Sequence, residues 1–382
     1  MNQQNRLAIF RRDLTGGGCE RVLVNLANCL VEKGISIDFL LSKAEGSLLE
    51  QVSPQVRVID LQGKSLDNNQ LFKLPTSFQS LTSLPKLVQY LQKEKPQVIL
   101  AAAHYSNEIA ILAKYLSGVA TQVIVSEHTT LSQEAKSHYR SSRLSPLMAK
   151  LLYPWANGII AVSHGSAEDL GKITGLSLDK IKVIYNPVIT PQLIKQATEP
   201  SNHPWFNEGE PPVILGVGRL APQKDFPSLI QAFAQVEKLR PCRLVILGEG
   251  RERKPLQNLI NQLGLQDKVA LPGFVTNPYA YLAKAAVFVL SSVYEGLPTV
   301  LIEAMAVGTP VISTDCESGP REILDNGKYG DLVKVGDVPA LTKSILDVLA
   351  GNVKSVDSTW LDQFSLESSS QNYLNYLSIF AY

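Results

Sequence analysis

The sequence predicts an α/β protein built as two consecutive halves, each a parallel sheet covered by helices on both faces. Three observations predict it. Short apolar runs of strand length alternate with apolar-periodic helical segments along most of the chain. A proline-rich stretch with little apolar periodicity, EPSNHPWFNEGEPP at 199–212, interrupts that alternation, and the same pattern then begins again. Finally, 382 residues with 45% hydrophobic content are enough for two cores of ordinary size.

In the first half, Leu7–Phe10 reads as a strand. Thr15-Gly16-Gly17-Gly18 leads into a helix from about Cys19 to Lys33, with Val22, Leu23, Leu26, Ala27 and Leu30 on one face and Gly34 as its stop. The glycine run departs from G-x-G-x-x-G. It serves either as a flexible turn or as a place where backbone can approach a ligand, with helix N–H groups behind it. Ile35–Leu41 is a second strand, and 61–85 reads as loop and broken helix. Further strands are predicted at 97–103, 122–126, 158–162 and 181–184. Polar residues sit at the ends of these strands: His104, Glu127-His128-Thr129, Ser163-His164-Gly165-Ser166 and Tyr185-Asn186-Pro187. Carboxyl ends of parallel strands are where ligands bind in such sheets.

In the second half, Val213–Val217 leads to Gly218-Arg219-Leu220 and Gln223-Lys224-Asp225, before a helix predicted to begin near Pro227. Arg243–Leu247 leads to Gly248-Glu249-Gly250, and 268–271 to Gly273-Phe274. The most informative stretch is SSVYEGLPTVLIEAMAVGTPVISTDCESGP at 291–320. It follows the strand Ala286–Leu290 and reads as loop, helix and strand, with Pro298 where a helix can begin and Val300, Leu301, Ala304 and Met305 predicted toward the core. Glu295 in the loop and Glu303 in the helix frame a helix start whose free N–H groups suit phosphate. Arg219 offers a planar fork for phosphate oxygens and Lys224 a mobile point charge, so the two together can neutralise a diphosphate without a metal. The last 25 residues are apolar enough to pack as a helix. The predicted domains are 1–197 and 198–365, with a helix at about 366–382 returning to the first.

Composition excludes several function classes. The net charge of +1 argues against a nucleic-acid binder, although residues 1–190 hold 20 Lys+Arg against 15 Asp+Glu and the remainder 16 against 20. Cys19, Cys29, Cys242 and Cys316 have no paired spacing, so neither a zinc site nor a disulfide framework is expected. The first residues do not form a signal peptide, and no apolar run approaches the ~20 residues of a membrane span. A cytoplasmic protein, soluble or peripheral on the inner face of the cytoplasmic membrane, is expected.

Gly218-Arg219-Leu220, Gln223-Lys224-Asp225-Phe226, Gly248-Glu249-Gly250 and Glu295 with Glu303, in that order, resemble retaining glycosyltransferases of family 4. Gly16-Gly17-Gly18-Cys19-Glu20-Arg21, Ser126-Glu127-His128 and Asn186-Pro187 extend the resemblance over most of the chain. It implies the GT-B architecture: two Rossmann-like doubly wound domains with the active site in the interdomain cleft. It also implies roles. Arg219 and Lys224 would bind the donor diphosphate, Glu295 the transferred sugar and Glu303 the ribose hydroxyls. Backbone N–H groups of Leu297, Thr299 and Val300 would complete the cradle, with Gly218, Gly250, Gly296 and Pro298 shaping the donor-binding turns. Gly17 and Gly18 would close over the diphosphate, and His128 would sit beside the sugar. The co-substrate would be a nucleotide-sugar, UDP on family frequency, with no cofactor and no metal. No Asp-x-Asp occurs in the sequence.

Ser318-Gly319-Pro320-Arg321-Glu322 resembles members acting on lipid-linked saccharides, so a glycan or lipid-linked saccharide acceptor is expected. Residues 136–155 interleave Lys136, Arg140, Arg143 and Lys150 with aromatics and leucines, which suits either an anionic membrane surface or a partly buried helix with a solvated basic face. Three rival readings remain from the residues. Glu295 and Glu303 could be a glycosidase pair, which would leave the two cations unexplained. A nucleotide-sugar epimerase or hydrolase would need only the donor. An inactive nucleotide-sugar-binding module would need no chemistry at all.

Overall fold

The computed structural model describes residues 6–63, 81–103, 105–136 and 143–378. His104, most of the 61–85 loop, positions 137–142 of the basic stretch and the last four residues of the predicted C-terminal helix lie outside them. The chain divides into unit 1, Met1–Pro187 with Phe364–Tyr382, and unit 2, Val188–Gln363.

Unit 1 holds seven parallel strands: β1 Arg6–Arg11, β2 Ser36–Leu41, β3 Arg57–Asp60, β4 Val98–Ala102, β5 Gln122–Glu127, β6 Gly158–Ala161 and β7 Ile181–Val183, ordered β3-β2-β1-β4-β5-β6-β7. Alternation along β1 shows why it is apolar throughout. Ala8 and Phe10 enter one core cluster while Leu7 and Ile9 enter the other, so both sheet faces are covered. Helix α1, Gly18–Glu32, buries Val22, Leu23, Leu26, Ala27 and Leu30, the face its periodicity predicts. Helix α2, Ser106–Ser117, begins at the end of β4. The C-terminal helix Leu366–Ser378 buries Tyr373 and Leu377 in the same core as Leu23 and Leu26.

Unit 2 holds six parallel strands: β8 Val213–Val217, β9 Arg243–Leu247, β10 Val269–Gly273, β11 Val287–Leu290, β12 Val311–Thr314 and β13 Asp331–Val333, ordered β10-β9-β8-β11-β12-β13. The strand order repeats that of the first six strands of unit 1. Both are doubly wound sheets, and in each the order reverses beside its first strand, at β1/β4 and at β8/β11. Crevices at such reversals, at the carboxyl ends of the strands, are where ligands bind. Helix α3, Phe226–Leu239, and helix α4, Thr299–Ala306, start from the loops at the unit 2 reversal.

The unit boundary differs from the expected 197/198 and falls at 187/188. The proline-rich stretch is no free linker. Leu193, on the helix Pro191–Ala197, is buried, and Asn277 Nδ2 donates to Gln196 O and Glu199 Oε2, both at 2.9 Å. Arg243 lies 5.0 Å over the Trp205 ring, and Phe206 meets Tyr281 edge-on at 5.3 Å. Prolines suppressed the periodicity, but the aromatics among them strap the segment to unit 2. Strands β3 and β13 were not foreseen from the sequence. Both are edge strands, and β3 is largely exposed, so neither has an apolar run to announce it.

Tyr373 is fully buried, so Tyr373→Ala should destabilise unit 1 by about 3–5 kcal/mol through transfer and cavity terms. Urea unfolding monitored by circular dichroism, compared with the milder Tyr373→Phe, measures it.

Candidate functional site

In unit 2 the loops after β8 and β11 meet at the reversal of strand order. Pro222–Lys224 forms a single tight turn, and Asp225 takes a left-handed conformation (φ 43°), with its carboxylate held by Ser228 Oγ at 2.6 Å. The turn is fixed from the other loop. Ser291 Oγ donates to Lys224 O at 2.6 Å, Val293 N to Gln223 O at 2.8 Å, and Gln223 Nε2 to Tyr294 O at 2.9 Å.

These contacts place Lys224 Nζ 2.6 Å from Glu295 Oε1, with 15% and 9% of the two side chains exposed. Ser292 Oγ donates to the same oxygen at 2.6 Å. The Glu295 loop is braced in turn: Thr314 Oγ1 donates to Ser292 O, Ser318 Oγ to Gly296 O at 2.8 Å, and Tyr294 bridges Glu317. A Cβ on Gly319, at φ 92°, would lie 2.4 Å from Pro298 Cδ, so glycine is required there.

Arg219 is exposed at the end of β8. Its loop is clamped by the one after β9: Leu220 N donates to Glu249 O at 2.9 Å and Glu252 N to Leu220 O at 3.0 Å. A Cβ on Gly248 would sit 2.0 Å from Gly218 O, and one on Gly250 2.2 Å from Leu220 O. Those glycines let the two loops touch. Gly218 faces the Lys224 stem, where an added Cβ would come within 3.0 Å of Lys224 Cε. Helix α4 begins at Thr299 with Pro298 as its cap, one residue later than the sequence suggests. Leu301, Ile302, Glu303, Ala304 and Met305 are buried and Val300 is not, so Val300 is free of the core-facing role predicted for it. Leu297, Thr299 and Val300 thus lie at one helix start, just past Glu295 in the chain, with Glu303 one turn further along. Glu303 is 7% exposed.

Unit 1 carries a second cluster at the carboxyl edge of its sheet. Gly17 caps α1, and Glu20 folds back over that helix start: a Cβ on Gly17 would lie 2.2 Å from Glu20 Oε2. Arg11, ending β1, holds Glu20 Oε1 at 2.5 Å and reaches Ala102 O at 3.1 Å. Burial opposes the Glu20 charge, but the Arg11 guanidinium outweighs it and keeps the carboxyl below its ordinary range. Gly18 opens α1, one residue past Gly17. The sequence alone assigns a role to neither Glu20 nor Arg11. Their signal was a charged residue closing an apolar strand and an acid in the first turn after glycines.

His128 follows β5, with Nε2 3.1 Å from Ser126 Oγ and Nδ1 buried without a partner among the described residues. Burial first, then the Arg11 charge, hold its imidazole down to about 3. His128 is therefore neutral at physiological pH, a hydrogen-bonding group and no cation. Beneath it, Glu127 accepts from His128 N at 3.0 Å and from Tyr153 Oη at 2.9 Å, and Tyr153 Oη accepts from Asn107 Nδ2 at 2.8 Å. Burial and the neighbouring Glu108 charge push Glu127 up to about 8, and burial raises Glu108 to about 7.

The family described as "Glycosyl transferases group 1" matches residues 199–358, and "Glycosyltransferase Family 4" matches residues 16–191. The chain is 32% identical over 345 residues, 90% of each chain, to the Campylobacter jejuni N-acetylgalactosamine-N,N'-diacetylbacillosaminyl-diphospho-undecaprenol 4-alpha-N-acetylgalactosaminyltransferase. It is 28% identical over 372 residues to the Rhizobium meliloti lipopolysaccharide core biosynthesis glycosyltransferase LpsE, covering 95% of this chain and 96% of that one. Among solved structures, Anabaena HepE in complex with UDP and glucose superposes with a TM-score of 0.77 at 21% identity, covering 98% of this chain and 99% of that one. The galactosyltransferase WaaB in its apo form superposes with a TM-score of 0.70 at 23% identity, covering 97% and 99%. These likenesses show the GT-B fold.

The raised carboxyls carry a pH dependence. The folded state holds protons on Glu127 and Glu108 up to about 8 and about 7, whereas the unfolded chain releases them near 4.5. Because the native state binds more protons, stability falls as pH rises through that window. Thermal unfolding should show this decline between about pH 5 and 8, and Glu127→Gln should flatten it.

Proposed function

The chain belongs to glycosyltransferase family 4, and from that membership we propose that it moves a sugar from a UDP-sugar to a lipid-linked saccharide, with retention of anomeric configuration. The observation that carries the donor half is the Lys224–Glu295 pair at the strand-order reversal of unit 2. A cation this sheltered, held by one carboxylate oxygen, is poised to change partners when a more highly charged anion arrives. In the proposal Lys224 turns to the donor diphosphate and Arg219 adds its fork. Glu295 is released to accept from hydroxyls of the transferred sugar. Glu303 takes the ribose hydroxyls, and the N–H groups at the start of α4 complete the cradle.

As the bond to the anomeric carbon breaks, negative charge grows on the leaving diphosphate, and these fixed cations and dipoles stabilise it. The acceptor hydroxyl attacks from the face the diphosphate leaves, and a leaving phosphate oxygen takes its proton. Two cations supply the charge needed, so turnover is proposed to be independent of divalent metal. In unit 1 the proposal assigns neutral His128 a hydrogen bond to the sugar, and the Gly17-Gly18 turn a place against the diphosphate. The acceptor class is supported by the Campylobacter relative, whose name specifies a diphospho-undecaprenol saccharide. Nucleotide-sugars are water-soluble and such acceptors lie in a membrane, so the reaction is proposed for the inner face of the cytoplasmic membrane. No helix among the described residues is long and apolar enough to cross a membrane.

Lys224→Ala should lower turnover by about 10²–10³-fold, the scale for removing one stabiliser of transition-state charge. Assays of UDP release with a lipid-linked acceptor test it, and a near-normal rate would refute the role. Glu303→Ala should instead raise the donor KM by about tenfold with a smaller change in kcat, as expected for lost hydrogen bonds to a charged group. UDP release that needs no acceptor would replace the transferase reading with hydrolysis.

A further inference from the structure

Unit 1 exposes an apolar face that neither of the two ligand clusters uses. The short helix at Ser145–Leu152 buries Ser145, Ala149 and Leu152 toward its core. Its other side is a stripe. Leu144, Leu147 and Leu151, spaced i, i+3 and i+7, fall on one helical face, and Leu144 already has helical backbone angles. Leu151 is 57% exposed. The stripe continues onto a second element. Trp155, just past the helix, packs edge-on against Tyr115 near the end of α2 at 5.2 Å, and Leu116 beside it is 64% exposed. Six large apolar side chains from two segments therefore stand in solvent, more than scattered surface hydrophobics account for.

Within the two segments that carry this face the charge has one sign. Arg143 and Lys150, also seven residues apart, line one side of the leucine stripe, and both are exposed. Lys114 flanks Tyr115, with its Nζ 5.6 Å from that ring. Residues 109–126 and 135–167, which contain every residue of the face, hold no Asp or Glu. Leucines for insertion, Trp and Tyr for the polar–apolar boundary, and lysines and arginine for anionic headgroups form the chemistry of an interfacial membrane contact.

We propose that Tyr115, Leu116, Leu144, Leu147, Leu151 and Trp155, with Arg143, Lys150 and Lys114 at their rim, dock unit 1 onto an anionic lipid bilayer. Trp155 and Tyr115 precede β6 and β5, so they lie at the amino-terminal edge of the sheet, opposite His128. Docking through this face leaves the carboxyl-edge cluster uncovered. The inference keeps the chain at the membrane in which the proposed lipid-linked acceptor lies, but the surface itself does not depend on that reading.

Flotation of the full chain with vesicles tests it. The chain should float with vesicles of phosphatidylcholine mixed with phosphatidylglycerol, and less with phosphatidylcholine alone. Added salt should weaken the binding. Leu147→Ser/Leu151→Ser should reduce binding about tenfold or more, in line with the apolar area withdrawn from the bilayer. Arg143→Glu/Lys150→Glu should lose the preference for phosphatidylglycerol. UDP-induced thermal stabilisation should be the same in both variants as in the unaltered chain, separating lost docking from lost fold or lost donor binding. Binding indifferent to phosphatidylglycerol, no binding at all, or full binding by the leucine variant would overturn the proposal. A concentration-dependent dimer abolished by that variant, or capture of an acidic protein without vesicle binding, would also overturn it.

Discussion

One ion pair organises the candidate site of unit 2: Lys224 against Glu295 at the strand-order reversal. Removing two charges from water is costly, and a sheltered pair contributes to stability only where its geometry is well supported. Here the support is extensive. The Ser291 hydroxyl, one backbone hydrogen bond and the Gln223 side chain tie the Lys224 turn to the Glu295 loop, and Ser292 holds the Glu295 carboxylate from within that loop. Ser318 and Gly319 brace that loop from the far side. The left-handed Asp225, the Gly218 turn against the Lys224 stem, and the loop that leads from Glu295 into α4 all lie around this pair. The bracing fits a site whose cation must be held ready until a more strongly charged partner arrives.

Much of this was legible in the sequence because site and fold use the same signals. Strands covered on both faces appear as uninterrupted apolar runs, so β1, β4, β5, β8, β9 and β11 announce themselves. The loops that follow them are then where polar residues matter, which singled out Arg219, Lys224, Glu295 and His128. Glycine spacing marked Gly248 and Gly250, whose backbones approach a neighbouring loop too closely for any side chain. Strands β3 and β13 were not legible, since the one is largely exposed with charged ends and the other only three residues long, so neither has an apolar run. The 199–212 stretch misled because prolines mask periodicity while Trp205 and Phe206 pack on unit 2. Val300 was placed toward the core by apolar spacing that holds for Leu301, Ala304 and Met305, but it lies in the first turn at the loop end and is only half-buried.

What the sequence could not show is pairing. That Glu295 holds Lys224 and that Glu127 accepts from Tyr153 are contacts between positions far apart in the chain, and the Arg11–Glu20 pair joins a strand end to a helix start. They add to the roles expected from sequence. The His128 imidazole, held neutral by burial and Arg11, serves as a hydrogen-bonding group and not as a charge. The exposed leucine stripe gained two residues, Tyr115 and Leu116, that no local pattern joined to it.

The central claim is that Lys224 is shared between Glu295 and the donor diphosphate. Calorimetric titration of UDP, which lacks the sugar Glu295 would contact, tests it directly in a double-mutant cycle. If Glu295 competes for the Lys224 charge, Glu295→Gln should tighten UDP binding by roughly fivefold to tenfold, an allosteric-scale coupling, and the gain should vanish in the Lys224→Ala background. Weaker or unchanged binding in Glu295→Gln, or a gain that persists without Lys224, would contradict the account.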